Sequence, residues 1–230
     1  TWSPHNYDMK FEGTITVQHA VEESRNIPAI KTLQAIGVEK GIEYARKLGL
    51  KDDLPPYLPI AIGAGEATLD EMVAAFGTIA NEGLRMTPML ITKITDNEGN
   101  VLEEKLPEAH DALRPETAAT MANILRGVVL RGTAQRASSL GRPLCGKTGT
   151  TDNWSDTWFV GFERDMVAGV WSGFDDKRKS LGRGQDGART SLPIFMDFWR
   201  EASKQLPKDQ AFPPPMPAQQ AEMAETRQIP

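Results

Sequence analysis

A lysine followed by a hydroxyl side chain and a glycine is the clearest chemical signal in this chain. The residues are Lys147, Thr148 and Gly149, within the run Cys-Gly-Lys-Thr-Gly-Thr-Thr-Asp-Asn-Trp over 145–154. Lys147 has no acidic residue beside it, so its ammonium group can attract an anion, and the Thr148 hydroxyl can donate a hydrogen bond. Gly149 permits another backbone to come close, and an edge strand offers free N–H and C=O groups. The run predicts a binding edge for an extended, anionic peptide.

The same run permits two other interpretations. A Lys-Thr-Gly triplet often occurs by chance and is weak support for function by itself. Residues 141–148 also satisfy the phosphate-loop pattern, a glycine, four residues and then Gly-Lys-Thr. That pattern requires a buried strand before it and a helix after it. Because residues 132–140 are polar and irregular, and a turn and a strand follow, we reject a nucleotide site.

Ser24 and Asn26 form a second candidate pair, two positions apart at a predicted break between two helices. Serine and asparagine commonly cap helices, so capping is the plainest interpretation of an isolated Ser-x-Asn.

The elements that must position these residues follow from apolar patterning. Aromatic and β-branched runs over 158–162 and 166–171 predict a β-hairpin, to which the Lys-Thr-Gly stretch adds an antiparallel strand. A second hairpin is predicted around the turn 96–100. Apolar residues at helical spacing predict helices that begin near Thr16, Pro28, Thr68, Pro115 and Pro193. The predicted fold class is α+β, an antiparallel sheet flanked by helices.

Composition excludes several function classes. The net charge of −5 and the lack of a Lys/Arg cluster give no footprint for nucleic acid. Three scattered histidines and one cysteine form no metal-ligand spacing, so we expect no metal and no cofactor. The sequence contains neither a signal peptide nor a run long enough to cross a bilayer. Residues 1–205 are expected to form the folded part and residues 206–230 a proline-rich flexible tail.

Taken together, the motifs resemble the transpeptidase domain of class A, bifunctional penicillin-binding proteins. The resemblance covers roughly residues 1 to 200. The matching runs are Trp-x-Pro-x-Asn-Tyr-Asp (2–8), Ser-Arg-Asn-Ile-Pro-Ala (24–29), Gly-x-Gly-Glu-Ala-Thr-Leu (63–69), Lys-Thr-Gly-Thr-Thr-Asp-Asn (147–153) and Trp-Phe-Val-Gly (158–161). This family implies a penicillin-binding or β-lactamase-like fold, here incomplete at its N-terminal side.

The resemblance also implies roles for individual residues. Ser24, Asn26 and Lys147 would be catalytic and face one cleft, with Ser24 and Lys147 relaying a proton to the leaving amine. The hydroxyl of Ser24 and the ammonium of Lys147 would then lie within roughly 3 to 5 Å, directly or through one water. Lys147, Thr148 and Thr150 would bind the carboxylate of a D-Ala-D-Ala stem peptide, alongside Gly149. The backbone N–H of Thr150 would form half of an oxyanion hole. The implied activity is D,D-transpeptidation of peptidoglycan, with β-lactam antibiotics as covalent ligands.

One departure from the family is large. The nucleophilic serine of the family belongs to a Ser-x-x-Lys motif, and none occurs in these 230 residues. Since the chain opens in mid-pattern at Thr1, we expect that motif in an upstream segment, which would also anchor an extracytoplasmic enzyme to the inner membrane. This chain alone is then expected to be inactive. Two alternatives remain: a β-lactamase-type hydrolase using Glu66, and a non-catalytic wall-binding or assembly module.

Overall fold

The computed structural model describes residues 2–51, 54–207 and 212, and it shows the predicted α+β fold. The helices are α1 (Val17–Glu22), α2 (Asn26–Ile36), α3 (Val38–Lys47), α4 (Leu69–Ala80), α5 (Pro115–Leu130) and α6 (Ser191–Ala202). The strands are β1 (Leu84–Met86), β2 (Lys93–Thr95), β3 (Val101–Glu104), β4 (Ala109–Asp111), β5 (Cys145–Thr150), β6 (Asp156–Phe162) and β7 (Val167–Gly173).

The main sheet has the order β5-β6-β7 and is antiparallel throughout. The hairpin predicted from the aromatic runs is β6-β7, and the Lys-Thr-Gly stretch is β5, as expected. Lys147 is opposite Val160, and Thr150 is opposite Thr157. Among the described residues β5 is paired on one side only, so its other side is an open edge. The sheet therefore presents the candidate binding strand at its margin.

Helices cover the sheet and supply its core. Helix α5 packs against β5, and α4 and α6 pack against β6 and β7. Phe195 and Trp199 of α6 stack with ring centroids 4.8 Å apart, and Phe159 of β6 meets Phe195 edge-on at 4.7 Å. Such aromatic pairs add about 0.5–1.5 kcal/mol each beyond the burial of their area. This core gives β5 a rigid support.

Helix starts follow local signals closely. The side chain of Thr16 caps α1, and Thr68 begins α4 in a complete capping box with Glu71, so both helices begin where they were predicted to begin. The helices predicted from Pro28 and Pro193 begin two residues earlier, at Asn26 and Ser191. Both prolines lie in the first turn, where backbone N–H groups have no partner within the helix, so a missing N–H costs nothing there.

Smaller elements lie around this body. Strands β1 and β4 form one antiparallel pair, and β2 and β3 form the hairpin predicted around 96–100. Over residues 2–51, 54–207 and 212, no helix combines the length and hydropathy needed to traverse a bilayer. In that same part of the chain no cluster of histidine, cysteine or acidic side chains is arranged for a metal ion.

A buried ion pair closes the end of the sheet. Arg142 donates to both carboxylate oxygens of Glu163, each at 2.6 Å, and Trp199 Nε1 donates to the same carboxylate at 2.8 Å. Arg142 also donates to the carbonyl of Pro207 at 2.8 Å. The predicted tail over 206–230 lies mostly outside the described residues. Phe212, which is described, is buried against the core.

Candidate active site

Lys147 and Ser24, which are 123 positions apart, meet in the folded chain. The ammonium Nζ of Lys147 donates a hydrogen bond to Ser24 Oγ at 2.6 Å, and a second to the Thr148 carbonyl at 3.0 Å. The expectation that the two tips lie within hydrogen-bonding reach is confirmed. No local element brings these residues together, so their contact results from the packing of the turn after α1 onto the edge of β5.

Ser24 occupies a strained turn between α1 and α2. Its φ of 53° lies in the left-handed region, which costs a non-glycine residue of order 1 kcal/mol. The turn is held by backbone hydrogen bonds from Ser24 N to Val21 O and from Arg25 N to Ala20 O. The residue before α2 is Arg25, and no side chain caps that helix. The capping interpretation is therefore wrong for Ser24, because its hydroxyl faces Lys147 instead.

Burial changes the acid–base behaviour of Lys147. The side chain is half-buried, and desolvation lowers its pKa from 10.5 to about 8. A lysine with this pKa is still mostly protonated at pH 7, but it can lose its proton far more readily than a surface lysine. Such a group can hold an anion and can also take part in proton transfer near neutral pH.

Asn26 lies on the first turn of α2, two residues after Ser24. Its amide Nδ2 donates to the carbonyl of His5 at 3.0 Å, and the neighbouring Ile27 N donates to Asn6 Oδ1 at 3.2 Å. These contacts tie α2 to the N-terminal segment. Asn26 is thus close to the Ser24 turn in the chain, while its observed amide contact is with His5 rather than with Lys147.

The open edge of β5 carries the other predicted residues. Thr151 N donates to Asp156 O on β6, and the N–H groups along a strand alternate in direction, so the N–H of Thr150 points to the open edge. The Thr148 hydroxyl oxygen lies 2.7 Å from the hydroxyl oxygen of Thr133, and the Thr150 hydroxyl accepts a hydrogen bond from Gly187 N at 3.1 Å. The edge therefore offers hydroxyls and a free backbone donor beside Lys147.

A loop glycine, Gly187, approaches the backbone of Gly149 closely, whereas a Cβ on Gly149 itself would lie 3.1 Å from the Cβ of Trp158. A Cβ on Gly187 would lie 2.5 Å from the carbonyl oxygen of Trp158 and 2.6 Å from that of Gly149. Only a glycine fits there without displacing backbone. The loop carrying Gly187 is thereby pressed against the end of β5 and fixes the Thr150 hydroxyl.

The likeness of this chain to known proteins is extensive. The sequence model described as "Penicillin binding protein transpeptidase domain" matches residues 1–172. Penicillin-binding protein 1A of Aquifex aeolicus is 44% identical over 215 residues, which are 93% of this chain and 29% of that protein.

The chain belongs to the transpeptidase domains of penicillin-binding proteins.

Solved structures of such domains share the fold. The crystal structure of penicillin-binding protein 1A from Haemophilus influenzae superposes with a TM-score of 0.88 at 26% identity, over 93% of this chain and 38% of that one. PonA1 of Mycobacterium tuberculosis, solved with penicillin V, gives a TM-score of 0.79 at 20% identity, over 92% of this chain and 62% of that one. This chain spans less than a third of the curated relative from Aquifex.

Two residues at the edge of this transpeptidase domain were missed by the sequence patterns. Thr133 follows α5 and reaches Thr148. Gly187 ends the run Gly-Arg-Gly-Gln-Asp-Gly over 182–187, whose glycines predict a turn and indicate no role in the site. The dipeptide Gly-Thr that follows the amphipathic helix α5 was the sequence feature that could have indicated Thr133. Glu66, the candidate base of the hydrolase alternative, does not have the enclosed environment of a catalytic carboxylate. Its side chain is 76% exposed and forms an ion pair with Lys177.

Proposed function

We propose that this transpeptidase domain cross-links peptidoglycan by serine acyl transfer from stem peptides ending in D-Ala-D-Ala. The observation that supports it most directly is the 2.6 Å hydrogen bond between Lys147 Nζ and Ser24 Oγ, at the open edge of a strand. A hydroxyl joined to a lysine with a lowered pKa is the arrangement required to pass a proton to a leaving amine.

The reaction has two halves. A serine oxygen attacks the penultimate D-Ala carbonyl, the C–N bond breaks, and the terminal D-Ala leaves as an amine after it gains a proton through Ser24 and Lys147. The acceptor amine of a neighbouring strand then attacks the acyl-enzyme, and the serine regains its proton. Asn26 holds the amide of the donor peptide in this scheme.

The strand edge recognises the donor. Lys147 and the hydroxyls of Thr148 and Thr150 bind the terminal carboxylate, where charge-assisted hydrogen bonds are stronger than neutral ones. The N–H of Thr150 stabilises the oxyanion that develops on the attacked carbonyl, because it faces the open edge. Gly149 keeps the strand flat against the donor backbone. β-Lactams, which carry a carboxylate beside a reactive amide, occupy the same edge.

The nucleophile is assigned to a part of the protein outside these 230 residues. No Ser-x-x-Lys occurs in the sequence, and Ser24 is already committed to Lys147. An upstream segment carrying Ser-x-x-Lys would supply the serine and its lysine base, complete the sheet and anchor the enzyme in an extracytoplasmic location. The substrate partners are peptidoglycan stem peptides, and no nucleic acid is involved.

No observation favours the hydrolase alternative. A β-lactamase needs a carboxylate held where it can activate water against the acyl-enzyme. Glu66 is solvent-exposed and paired with Lys177, so it is not enclosed in a site where it could hold a water against an acyl-enzyme. The non-catalytic alternative is disfavoured by the hydrogen bond between Lys147 and Ser24 at an open strand edge, because a strand with a purely structural role does not require that pair.

Labelling with a fluorescent penicillin tests the proposal. The complete protein, with its Ser-x-x-Lys segment, should form a covalent adduct that maps to that serine. The 230-residue chain alone should form none, since its own serines are not nucleophiles. An adduct on a serine of this chain would show that the nucleophile is misplaced, and no adduct on the complete protein would refute the transpeptidase assignment.

A further inference from the structure

A threonine outside the family motifs contacts the carboxylate-binding strand. Thr133, in the turn after α5, is half-buried, and its hydroxyl oxygen lies 2.7 Å from that of Thr148. Each hydroxyl has one proton, so one of the two donates to the other and a single proton remains for an external acceptor. If Thr133 donates to Thr148, the Thr148 proton is directed outward. The pair therefore sets which way the Thr148 hydroxyl can donate.

The backbone around Thr133 is fixed from the Ser24 side of the site. Thr133 N donates to the carbonyl of Glu22 at 3.1 Å, and Glu22 is two residues before Ser24. Gly132 presses on the same carbonyl, where a Cβ would overlap the oxygen atom. Only a glycine at position 132 lets the backbone of the turn after α5 come this close to the carbonyl of Glu22 at the end of α1.

The side chain of Glu22 reinforces this junction. It is buried, with 5% of its side chain exposed, and it accepts hydrogen bonds from Arg131 Nε and Gln18 Nε2, both at 2.8 Å. Gly127 leaves the space that the carboxylate fills, since a Cβ there would overlap it. One buried residue, two positions before Ser24 in the chain, thereby holds Thr133 through its backbone carbonyl.

We propose that Thr133 is a positioning residue for recognition of the donor carboxylate, and that Glu22 holds it in register with Ser24. Thr133 orients the Thr148 hydroxyl so that its proton points at the carboxylate. This inference rests on the proposed transpeptidase function, because it deepens the role of Thr148 in that site. It predicts an effect specific to carboxylate-bearing substrates, which a merely structural threonine would not have.

The test compares two acylating probes on the complete protein, benzylpenicillin and its methyl ester. Thr133→Val keeps the shape of the side chain and removes the hydroxyl. It should slow the second-order acylation by benzylpenicillin about tenfold, the effect of weakening one charge-assisted hydrogen bond. Acylation by the methyl ester should stay within about twofold of the parent protein, since no carboxylate is left to recognise.

Thr133→Ser, which keeps the hydroxyl, should restore acylation by benzylpenicillin to within about threefold of the parent rate. In a Thr148→Val background, Thr133→Val should cause no further loss, because the hydroxyl it orients is gone. Thr87→Val is the matched control, since that hydroxyl contacts His110 in the small β1-β4 sheet at 3.3 Å. It should leave both probes unaffected.

Equal slowing of both probes by Thr133→Val, or no slowing of either, would overturn the inference. Should Thr133→Val fail to fold, the same comparison is made with Thr133→Ala and Thr133→Ser, and the rate ratio of the two probes decides. A parent protein that neither probe acylates would refute the proposed function instead. The two failures are thus distinguishable.

Discussion

Replacing Lys147 by methionine separates the charge of the lysine from its length and apolar stem. The ammonium group donates to Ser24 Oγ at 2.6 Å, and in the proposed reaction it also contacts the donor carboxylate. Hydrogen bonds that involve a charged group contribute about 1.5–3 kcal/mol each. Loss of both should reduce acylation by benzylpenicillin at least about a hundredfold.

The same variant, Lys147→Met, should be more stable than the parent protein even though it is acylated more slowly. Burial lowers the pKa of Lys147 from 10.5 to about 8, so keeping the charge in the folded state costs on the order of 3 kcal/mol. Because the folded pKa is below the unfolded one, the unfolded chain binds more protons between about pH 8 and 10.5, and the parent becomes more stable as pH rises through that window. At pH 7 the full penalty is present. Methionine avoids it but loses the hydrogen bond to Ser24.

We therefore expect Lys147→Met to raise the free energy of unfolding by about 1–2 kcal/mol at pH 7, a melting-temperature increase of about 2–4 °C per kcal/mol. The advantage should fade toward pH 10.5. Thermal melting at both pH values and stopped-flow acylation measure the two effects. Lys93→Met is the control, because Lys93 lies on exposed β2 and pairs with Glu104 at 3.7 Å. Destabilisation at pH 7 with acylation retained would contradict this account and make Lys147 a structural residue.

Three further predictions concern the same framework. The second-order acylation constant for benzylpenicillin should fall as pH rises above about 8, where Lys147 loses its proton. In Lys147→Arg the fall should occur at a higher pH in the pH-rate profile, because a guanidinium group keeps its proton there. Glu163→Ala should lower the free energy of unfolding by about 3–5 kcal/mol in a denaturant titration, since it removes the buried carboxylate that accepts hydrogen bonds from Arg142 and Trp199; a loss below about 1 kcal/mol would contradict this. Gly187→Ala should push its loop from β5, release the Thr150 hydroxyl and slow acylation together with a lower melting temperature; unchanged values of both would mean that the loop is not held by this contact.

Local patterns determined most of the secondary structure of this protein. The capping box at Thr68 and the alternating aromatic runs of β6 and β7 act over a few residues, so their outcome can be predicted without knowledge of the rest of the chain. The Lys-Thr-Gly strand and its antiparallel partner followed from the same logic. Sequence alone also identified Ser24, Asn26 and Lys147 as a set, through their order and residue types rather than through any contact between them.

The tertiary structure alone decided how these residues meet. Ser24 lies in a turn and Lys147 in a strand, and they meet because α1 packs against α5 and α5 packs against β5. The pKa of Lys147 depends on the burial that this packing produces. Thr133 and Glu22 contact this region in the same way, through a hydroxyl and a backbone carbonyl that join segments distant in the sequence. Contacts between distant segments depend on the register of the whole core, which short-range patterns do not encode.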